Sequence, residues 1–229
     1  MAIARRTRTT AGMCEPAEMS PPELRTPAAG ESNPSVGLEG WPRMFLRPAP
    51  IVCDLGAGNG RFAATYAELH PEWNVLAVER RLPRVRKIRR AQELRRLSNL
   101  RVLWLGWDDL LLFWSQPESC REIHVLFPDP WPKRRHRIRR TLSMRVLTAI
   151  VRVLEPGGFF RLLTDDPGYY ATVERAAAAL PGFGRPEDPG GFPESQFETI
   201  FRSRGCPLHG AIWRKSEGDR TERERRGAA

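Results

Sequence analysis

The fold is decided by residues 50–60, which read Pro50-Ile51-Val52-Cys53-Asp54-Leu55-Gly56-Ala57-Gly58-Asn59-Gly60. The first half is a short apolar run typical of a buried strand. The second half has glycine at alternate positions, which lets the backbone turn sharply and approach a ligand closely. A helical pattern over 59–70 follows and ends before Pro71. This order predicts the first β-α unit of a parallel sheet, with a ligand site at the turn.

Strand and helix patterns alternate through the rest of the chain. Helices are predicted over 83–97, 107–114, 141–154 and 169–180, and strands over 74–79, 100–105, 122–127 and 159–164. Two more strands, over 199–203 and 211–215, are predicted to close the sheet as an antiparallel pair. The alternation predicts an α/β fold with a doubly wound, mostly parallel sheet and helices on both faces. In such sheets ligands bind beyond the carboxyl ends of the strands.

Composition limits the function and the location of the protein. The 229 residues include 37 Lys and Arg against 27 Asp and Glu, a net charge of +10. This excess favours nucleic acid or an anionic membrane as partner, although a solvated basic surface explains it equally well. The four cysteines form no C-x-x-C pair, which argues against zinc and disulfides and suits the cytoplasm. No apolar run approaches the ~20 residues that cross a bilayer.

The composition also predicts one domain between two loose ends. Residues 1–37 are rich in Thr, Ala, Pro, Glu and Ser without helical or strand periodicity, so a disordered leader is expected there. Residues 216–229 are charged and lack large apolar side chains, so a disordered tail is expected. The domain itself is predicted to span 38–215.

The spacing of the glycines distinguishes between nucleoside cofactors. A dinucleotide fingerprint, G-x-G-x-x-G, requires glycine at position 61, where this chain has Arg61, so an NAD-dependent oxidoreductase is disfavoured. The spacing from Asp54 to Gly60 is instead D-x-G-x-G-x-G and resembles motif I of class I methyltransferases. Glu79 ends the second predicted strand, where an acid can accept hydrogen bonds from ribose hydroxyls. The resemblance implies S-adenosylmethionine as cofactor.

One position departs from the class I pattern. Those enzymes usually have Asp or Asn after the third strand, next to the adenine, whereas this chain has Gly106 followed by Trp107, Asp108 and Asp109. Backbone groups, Trp107 and Asp108 are the alternatives for holding the adenine, and the sequence does not choose between them.

The fourth predicted strand leads into Phe127-Pro128-Asp129-Pro130-Trp131-Pro132-Lys133-Arg134-Arg135-His136. Prolines restrict the backbone around Asp129, Trp131 offers a large aromatic face, and Lys133 begins a run with six cationic residues in eight. An aromatic side chain among cations suits a base that stacks beside a phosphate backbone. At this sheet edge we expect the run to bind RNA rather than to be a solvated loop.

These residues resemble the F-P-D-P-W-x-K-x-R-H signature of the tRNA (guanine-N7)-methyltransferases. The resemblance continues at Thr164-Asp165 with Tyr169, and at residues 195–198, where members usually read T-K-F-E or T-x-Y-E. Gln196 replaces the usual basic residue there. The resemblance implies the class I methyltransferase fold and a guanine at position forty-six, in the variable loop of tRNA, as target. It places Asp129 as the catalytic residue.

The family resemblance also implies two sets of site residues. The cofactor side comprises Asp54, Gly56, Gly58, Glu79, Gly106 and Asp129. The tRNA side comprises Lys133, Asp165, Ser195, Gln196, Phe197 and Glu198. No metal or membrane partner is expected, and the oligomeric state is left open.

The chemistry of guanine N7 agrees with this assignment. N7 has a lone pair and no proton, so it can attack a sulfonium methyl group without a base. The enzyme must supply alignment and a charge that complements the cationic product. A carboxylate can do this, or accept from the guanine N1–H and amine. Asp129 and Asp165 are candidates for these two roles, which the sequence does not assign.

Several alternatives remain open at the level of sequence. Residues 80–96 contain nine cations and only one acid, Glu93, and either extend the RNA path or form an exposed arginine-rich face. A methyltransferase of the same fold with another RNA, DNA or protein substrate is the main alternative function. An inactive RNA-binding homologue gains slight support from Gly106 and Gln196.

Overall fold

The computed structural model describes residues 41–129 and 142–217, which contain a six-stranded sheet in the order β3-β2-β1-β4-β5-β6. Five strands are parallel, and the last runs antiparallel to β5. The strands are β1 Ile51–Leu55, β2 Asn74–Glu79, β3 Leu100–Trp104, β4 Cys120–Leu126, β5 Leu154–Thr164 and β6 His209–Arg214. The predicted α/β fold with a mostly parallel, doubly wound sheet is confirmed.

Helices connect the strands on both faces of the sheet. They are α1 Arg61–Leu69, α2 Leu82–Leu94, α3 Trp107–Asp109, α4 Met144–Val153, α5 Pro167–Ala178 and α6 Gln196–Ser203. A 3₁₀ turn, Trp41–Met44, precedes β1, and a π-helical segment, Leu110–Trp114, extends α3. Within the two described ranges, no helix combines the length and apolar character needed to span a membrane.

Alternation along the strands produces two cores. In β1, Cys53 and Leu55 face the core beneath α4 and α5, whereas Val52 faces the core beneath α1 and α2. Successive side chains in a strand point to opposite faces, so both faces of β1 must be apolar, which explains its continuous apolar run. Because α1 and α4 lie on opposite faces, a crevice opens between the carboxyl ends of β1 and β4.

The predicted strand over 199–203 is wrong, because these residues belong to α6. The Ser195 hydroxyl accepts a hydrogen bond from the Glu198 backbone N–H at 3.1 Å. Ser and Glu at this spacing form the capping-box pattern that begins helices, and it overrides the strand preference of Thr199. The antiparallel pair exists, but it joins β6 to β5, with His209 opposite Thr164.

β5 also begins earlier than predicted, at Leu154 rather than at residue 159. Leu154 pairs with Cys120 of β4, and the register then shifts before Glu122 pairs with Phe159. A Cβ on Gly158 would lie 2.7 Å from the Arg121 carbonyl oxygen, so glycine permits this irregularity inside the strand. The glycines therefore mark a bulge and not the end of the preceding helix.

Candidate functional site

The glycine-rich turn after β1 is held against β2 by its own backbone. The Gly56 N–H donates to the Val78 carbonyl oxygen at 2.8 Å. Gly56, Gly58 and Gly60 have φ of 83°, 61° and 79°, in a region that other residues adopt only with strain. A Cβ on Gly60 would also lie 2.6 Å from Ile88 of α2. The turn therefore requires its glycines for backbone conformation and for packing.

Glu79, at the end of β2, is a buried carboxylate fixed by backbone donors. It accepts from the Gly58 N–H at 3.0 Å and from the Arg81 N–H at 2.8 Å. Arg84 of α2 lies 3.6 Å from the same carboxylate. Each carboxylate oxygen has two lone pairs, so Glu79 can still accept from a ligand. Its position beside the glycine-rich turn agrees with the predicted role toward a ribose.

A cavity of about 540 Å³, here called the β2–β3 cavity, opens at this end of the sheet. It brings together four predicted site residues, Gly56, Glu79, Gly106 and Asp129, from four separate stretches of the chain. Trp107 and Asp108, the alternatives for holding an adenine, also line it. Its walls combine an aromatic ring, backbone amides and carboxylates, which suits a nucleoside.

The space beside Gly106 is filled by a neighbouring acid. A Cβ on Gly106 would lie 2.9 Å from Asp108 Oδ1. The Asp108 carboxylate thus occupies the volume that a side chain at position 106 would need. Asp109 Oδ2 lies 3.0 Å from the same Cβ position, so two carboxylates of the following turn crowd the place of the missing side chain.

A second cavity, of about 460 Å³, lies between the glycine-rich turn and the start of α6, and is here called the α6 cavity. The predicted residues that line it are Asp54, Gly56, Gly58, Asp129, Asp165, Ser195, Gln196 and Phe197. It shares Gly56, Arg84 and the segment 126–129 with the β2–β3 cavity. Asp129 therefore lies where the two cavities meet.

Asp54 is a buried carboxylate with one oxygen left unsatisfied. Its Oδ2 has no hydrogen-bond partner within residues 41–129 and 142–217. Burial and then the neighbouring Glu79 charge raise the pKa of Asp54 from 3.8 to about 7, although the Ala63 backbone N–H and Arg161 act in the opposite direction. A cationic ligand would lower the cost of keeping this carboxylate ionised. Asp54 thus fits a cationic ligand in the α6 cavity.

Asp129 is exposed at the mouth of both cavities. It lies 3.8 Å from Arg80, with side-chain exposures of 69% and 59%. Sequence analysis included Arg80 only as the first cation of the stretch 80–96, and its position directly after Glu79 was the available signal for a place at the site. Phe127 has φ of 52°, a strained conformation for a bulky residue that functional sites often retain. Asp129, two residues after Phe127, lines both cavities.

Three aromatic rings form one wall of the α6 cavity. The Phe127 and Phe201 ring centroids are 5.2 Å apart, and Phe197 lies 6.2 Å from each of them. Phe197 is 40% exposed, so one face remains free for contact. Exposed aromatic faces are used to stack unpaired bases. Phe201 is a second cavity residue that sequence analysis missed, and its i+4 spacing from Phe197 was the available signal.

The structure gives less support to three predicted tRNA-side residues. Glu198 is buried, pairs with Arg202 at 3.0 Å, and is not among the residues lining the two cavities. The Ser195 hydroxyl is engaged in capping α6. Lys133 lies outside the described residues. Their roles toward tRNA remain predictions.

Comparison with known proteins identifies the family. A model of a putative methyltransferase family matches residues 48–200. A tRNA (guanine-N7)-methyltransferase from Alkalilimnicola ehrlichii is 32% identical over 94% of this chain and 92% of its own length. Its counterpart from Chlamydia felis is 36% identical over 73% of this chain and 77% of its own. The chain belongs to the tRNA (guanine-N7)-methyltransferase family. The resemblance inferred from the sequence is confirmed.

Solved structures support the fold of this family member independently. The 16S rRNA methyltransferase KamB matches with a TM-score of 0.57 and 18% identity, over 81% of this chain and 95% of KamB. A SAM-dependent O-methyltransferase from Thermotoga maritima matches with a TM-score of 0.53 and 14% identity, over 75% of this chain and 61% of that protein. At such identities the likeness concerns the fold alone, which is that of class I methyltransferases. Among the described residues, no group of His, Cys, Asp and Glu could hold a metal ion.

Proposed function

We propose that this protein transfers a methyl group from S-adenosylmethionine to N7 of a guanine in the variable loop of tRNA, at position forty-six. Membership of the tRNA (guanine-N7)-methyltransferase family supports the reaction. The observation that carries the proposal is the junction of the β2–β3 and α6 cavities at Asp129, since a cofactor and a base must meet at one point. Methylation of tRNA would take place in the cytoplasm.

The residues at the sheet edge fit the cofactor. S-adenosylmethionine supplies, when bound, an electrophilic methyl group on a sulfonium cation. Glu79 would accept from its ribose hydroxyls, and Asp108 would meet the adenine in the β2–β3 cavity. The unsatisfied oxygen of Asp54 would face the cationic part of the molecule from the α6 cavity. This choice of Asp108 rests on its carboxylate standing where a side chain at 106 would be.

The guanine would enter the α6 cavity from the side of α6. Phe197 offers an exposed ring on which the base can stack. Asp165 lines the same wall and can accept from the guanine N1–H and exocyclic amine. Asp129 would then complement the positive charge that guanine gains as N7 is methylated. The N7 lone pair carries no proton, so neither carboxylate needs to act as a base.

Helix α2 supplies a path for the RNA backbone toward this cavity. Arg84 and Lys87 line the α6 cavity, and Arg81, Lys87 and Arg90 are exposed. Cations at a cavity entrance steer phosphates and position the chain without reading its sequence. Residues 80–96 were interpreted either as part of the RNA path or as an exposed arginine-rich face. The position of these cations at the cavity favours the RNA path.

Methylation of unmodified tRNA with labelled S-adenosylmethionine, followed by nucleoside analysis, tests the proposal. We expect labelled N7-methylguanosine, and its loss when the target guanine of the tRNA is replaced by adenine. A different labelled nucleoside would identify another substrate atom and contradict the proposal. Binding of tRNA and cofactor without any transfer would instead identify an inactive homologue.

A further inference from the structure

Arg161, in β5, is a buried cation that the proposed chemistry does not use. Its side chain is only 3% exposed, although an unpaired charge in a protein interior is strongly unfavourable. The guanidinium Nε donates to the Pro189 carbonyl oxygen at 2.9 Å, and the group lies 4.6 Å from the Phe192 ring centroid. These contacts fix the direction of the side chain but do not balance its charge.

The sheet register places Arg161 in line with Asp54. Asp54 of β1 is opposite His124 of β4, and His124 is opposite Arg161 of β5. Residues opposite one another project from the same face, with about 5 Å between neighbouring strands, so an arginine can reach toward the Asp54 carboxylate. Burial lowers the pKa of His124 despite its contact with Glu122. The intervening imidazole is therefore neutral at neutral pH.

Arg161 faces a second acid on the other side, in α6. Its Nη2 lies 3.9 Å from Oε2 of Glu198, and both side chains are buried. The Glu198 backbone N–H is bonded to the Ser195 hydroxyl, so this carboxylate belongs to the rigid first turn of α6. The ion pair therefore anchors the first turn of α6 to the sheet. This turn presents Ser195, Gln196 and Phe197 to the α6 cavity.

Four buried atoms in this group lack hydrogen-bond partners within the described ranges: Arg161 Nη1, Asp54 Oδ2, Glu198 Oε2 and Nδ1 of the intervening His124. Buried polar atoms are normally satisfied, so four exceptions in one cluster require an explanation. Glu198 and Asp54 both favour the charged guanidinium and oppose the burial that lowers the pKa of Arg161. Charge balance, rather than hydrogen bonding, is what the three charged side chains share.

We infer that Arg161 is a positioning residue that keeps the Asp54 carboxylate charged on the cofactor side and anchors the first turn of α6, through Glu198, on the substrate side. The inference rests on the proposed function, because the Asp54 charge matters only toward a cationic ligand. A single side chain in β5 would thus assist the binding of both the cofactor and the tRNA.

The charged groups around Asp54 determine how its ionisation responds to the loss of Arg161. Those on the surrounding elements are Glu79, Arg84, Lys87, Asp129, Glu122, Asp165, Arg161 and Glu198. Arg84 is partly exposed and Lys87 is exposed, so water screens them more than the buried Arg161. Loss of Arg161 removes a lowering influence and raises the pKa of Asp54 further above about 7.

Calorimetric titration with S-adenosylmethionine and S-adenosylhomocysteine between pH 6 and pH 9 tests this inference with the Arg161→Met variant. Binding in the parent should weaken as the pH falls through the pKa of Asp54. In the variant, binding should begin to weaken at a higher pH, because Arg161 is one of the influences that lower the pKa of Asp54. The affinity at pH 7 should then fall by less than about tenfold, the change that one pKa unit would give.

Arg214→Met is the matched control. Arg214 lies in the neighbouring β6, pairs with Glu187 at 3.1 Å and lies over the Phe159 ring at 5.4 Å, but its side chain is 47% exposed. The affinity of this variant for the cofactor should depend on pH in the same way as that of the parent. If the folded Arg161→Met variant binds the cofactor with the same pH dependence as the parent, the inference is overturned. If the parent protein binds neither sulfur nucleoside, the proposed function is overturned instead.

Two further variants test the anchoring of α6 and remain informative if Arg161→Met does not fold. Glu198→Gln leaves Arg161 aligned with Asp54, so it should keep the affinity for S-adenosylmethionine at pH 7 and raise KM for tRNA several-fold. Arg161→Lys keeps a cation, but the lysine side chain is shorter and lacks the forked geometry of the guanidinium. This variant should therefore keep the pH dependence of cofactor binding and also raise KM for tRNA. Parent values of KM in both variants would contradict the anchoring.

Discussion

At the residue scale, Asp129 is an exposed acid of the site, as are Asp108 and Asp165, whereas Asp54 and Glu79 are buried. The ion pair of Asp129 with Arg80 joins two exposed side chains at 3.8 Å, and such pairs contribute about 0–1 kcal/mol to stability. Asp129→Ala should therefore change the unfolding temperature little. If Asp129 complements the charge of the methylated guanine, the same change should lower the single-turnover rate by about 10²–10³.

The Asn variant at this position separates charge from hydrogen bonding. If charge decides, Asp129→Asn should be nearly as slow as Asp129→Ala in single-turnover methylation at saturating tRNA and cofactor. Asp188→Asn is the control and should keep the parent rate, because it removes the charge of an exposed acid that lines neither cavity and keeps an acceptor for the Gly190 N–H. If the rate of Asp129→Ala is within about tenfold of the parent rate, a difference of ~1.4 kcal/mol, Asp129 does not complement the charge of the guanine. Asp165 would then be the candidate for this role.

Asp54 presents the opposite case, a carboxylate whose burial opposes stability. Its pKa is raised from 3.8 to about 7, so the folded state binds a proton more tightly than the unfolded state. Stability is therefore lost as the pH rises from about 4 to about 7. Asparagine mimics the protonated form, so Asp54→Asn should raise the unfolding temperature at pH 8 and should have little effect below pH 4.

The pKa shift of Asp54 sets an upper bound of about 4 kcal/mol on the free energy of unfolding that Asp54→Asn can gain. A gain of 1 kcal/mol would already raise the unfolding temperature by roughly 2–4 °C in a domain of this size. Thermal unfolding without ligand at pH 4 and pH 8 measures it, with Asp188→Asn as control. The variant should bind S-adenosylmethionine more weakly, which is the usual conflict between stability and function. A lower unfolding temperature at pH 8 would show that the ionised Asp54 stabilises the fold.

At the scale of elements, the sequence predicts β1, β2 and β4 well because these strands are buried almost throughout. The apolar runs ending at Leu55, Glu79 and Leu126 lie within a few residues of their predicted bounds, since a strand covered by helices on both sides needs continuous apolar character. The glycine-rich turn was predictable for a similar reason, because its backbone conformation excludes other residues.

Elements near the end of the chain were harder to predict because their signals conflict. Thr199, Ile200 and Phe201 favour a strand by local preference, but the Ser195–Glu198 capping box starts a helix. Residue roles that depend on register were not predictable. Arg161 is aligned with Asp54, across His124, only through the pairing of β1, β4 and β5, and no spacing along the chain encodes this.

The turn after β3 offers a prediction about how one acid replaces another. Asp108 Oδ1 stands 2.9 Å from the Cβ position of residue 106, and Gly106 has φ of −67°, which any residue can adopt. Asp108→Ala should weaken S-adenosylmethionine binding by about 1–3 kcal/mol, the scale for losing a charged acceptor. Adding Gly106→Asp should restore much of the affinity, because it returns a carboxylate to the same space.

Calorimetry on Asp108→Ala and on the double variant gives the comparison. Asp109→Ala is the matched control, since Asp109 is also near Gly106 but is not among the residues that line the β2–β3 cavity. Equal losses for Asp108→Ala and Asp109→Ala would show that the turn, rather than the Asp108 carboxylate, holds the nucleoside. Failure of the double variant to recover affinity would contradict the replacement.

At the scale of the whole molecule, the net charge of +10 is distributed unevenly. Nine cations and one acid lie between residues 80 and 96, and α2 packs on the core shared with α1, on the opposite face of the sheet from α4 and α5. A further run of cations, residues 133–140, lies outside the described residues. A basic face beside the cavities suits a large polyanion, whose binding then depends on salt.

The α2 surface can be tested separately from the total charge of the protein. Lys87→Gln with Arg90→Gln removes two exposed cations from α2, and Arg175→Gln with Arg185→Gln removes two exposed cations elsewhere. Both double variants lower the net charge equally, so a purely global effect of charge would be the same in each. Each lost phosphate contact reduces the slope of log K against log salt by roughly 0.7–0.9. The α2 variant should therefore flatten the slope for tRNA by about 1.4–1.8, whereas the control should keep the parent slope. Equal slopes in the two variants would show that α2 is a solvated basic face and that the RNA approaches the α6 cavity from another side.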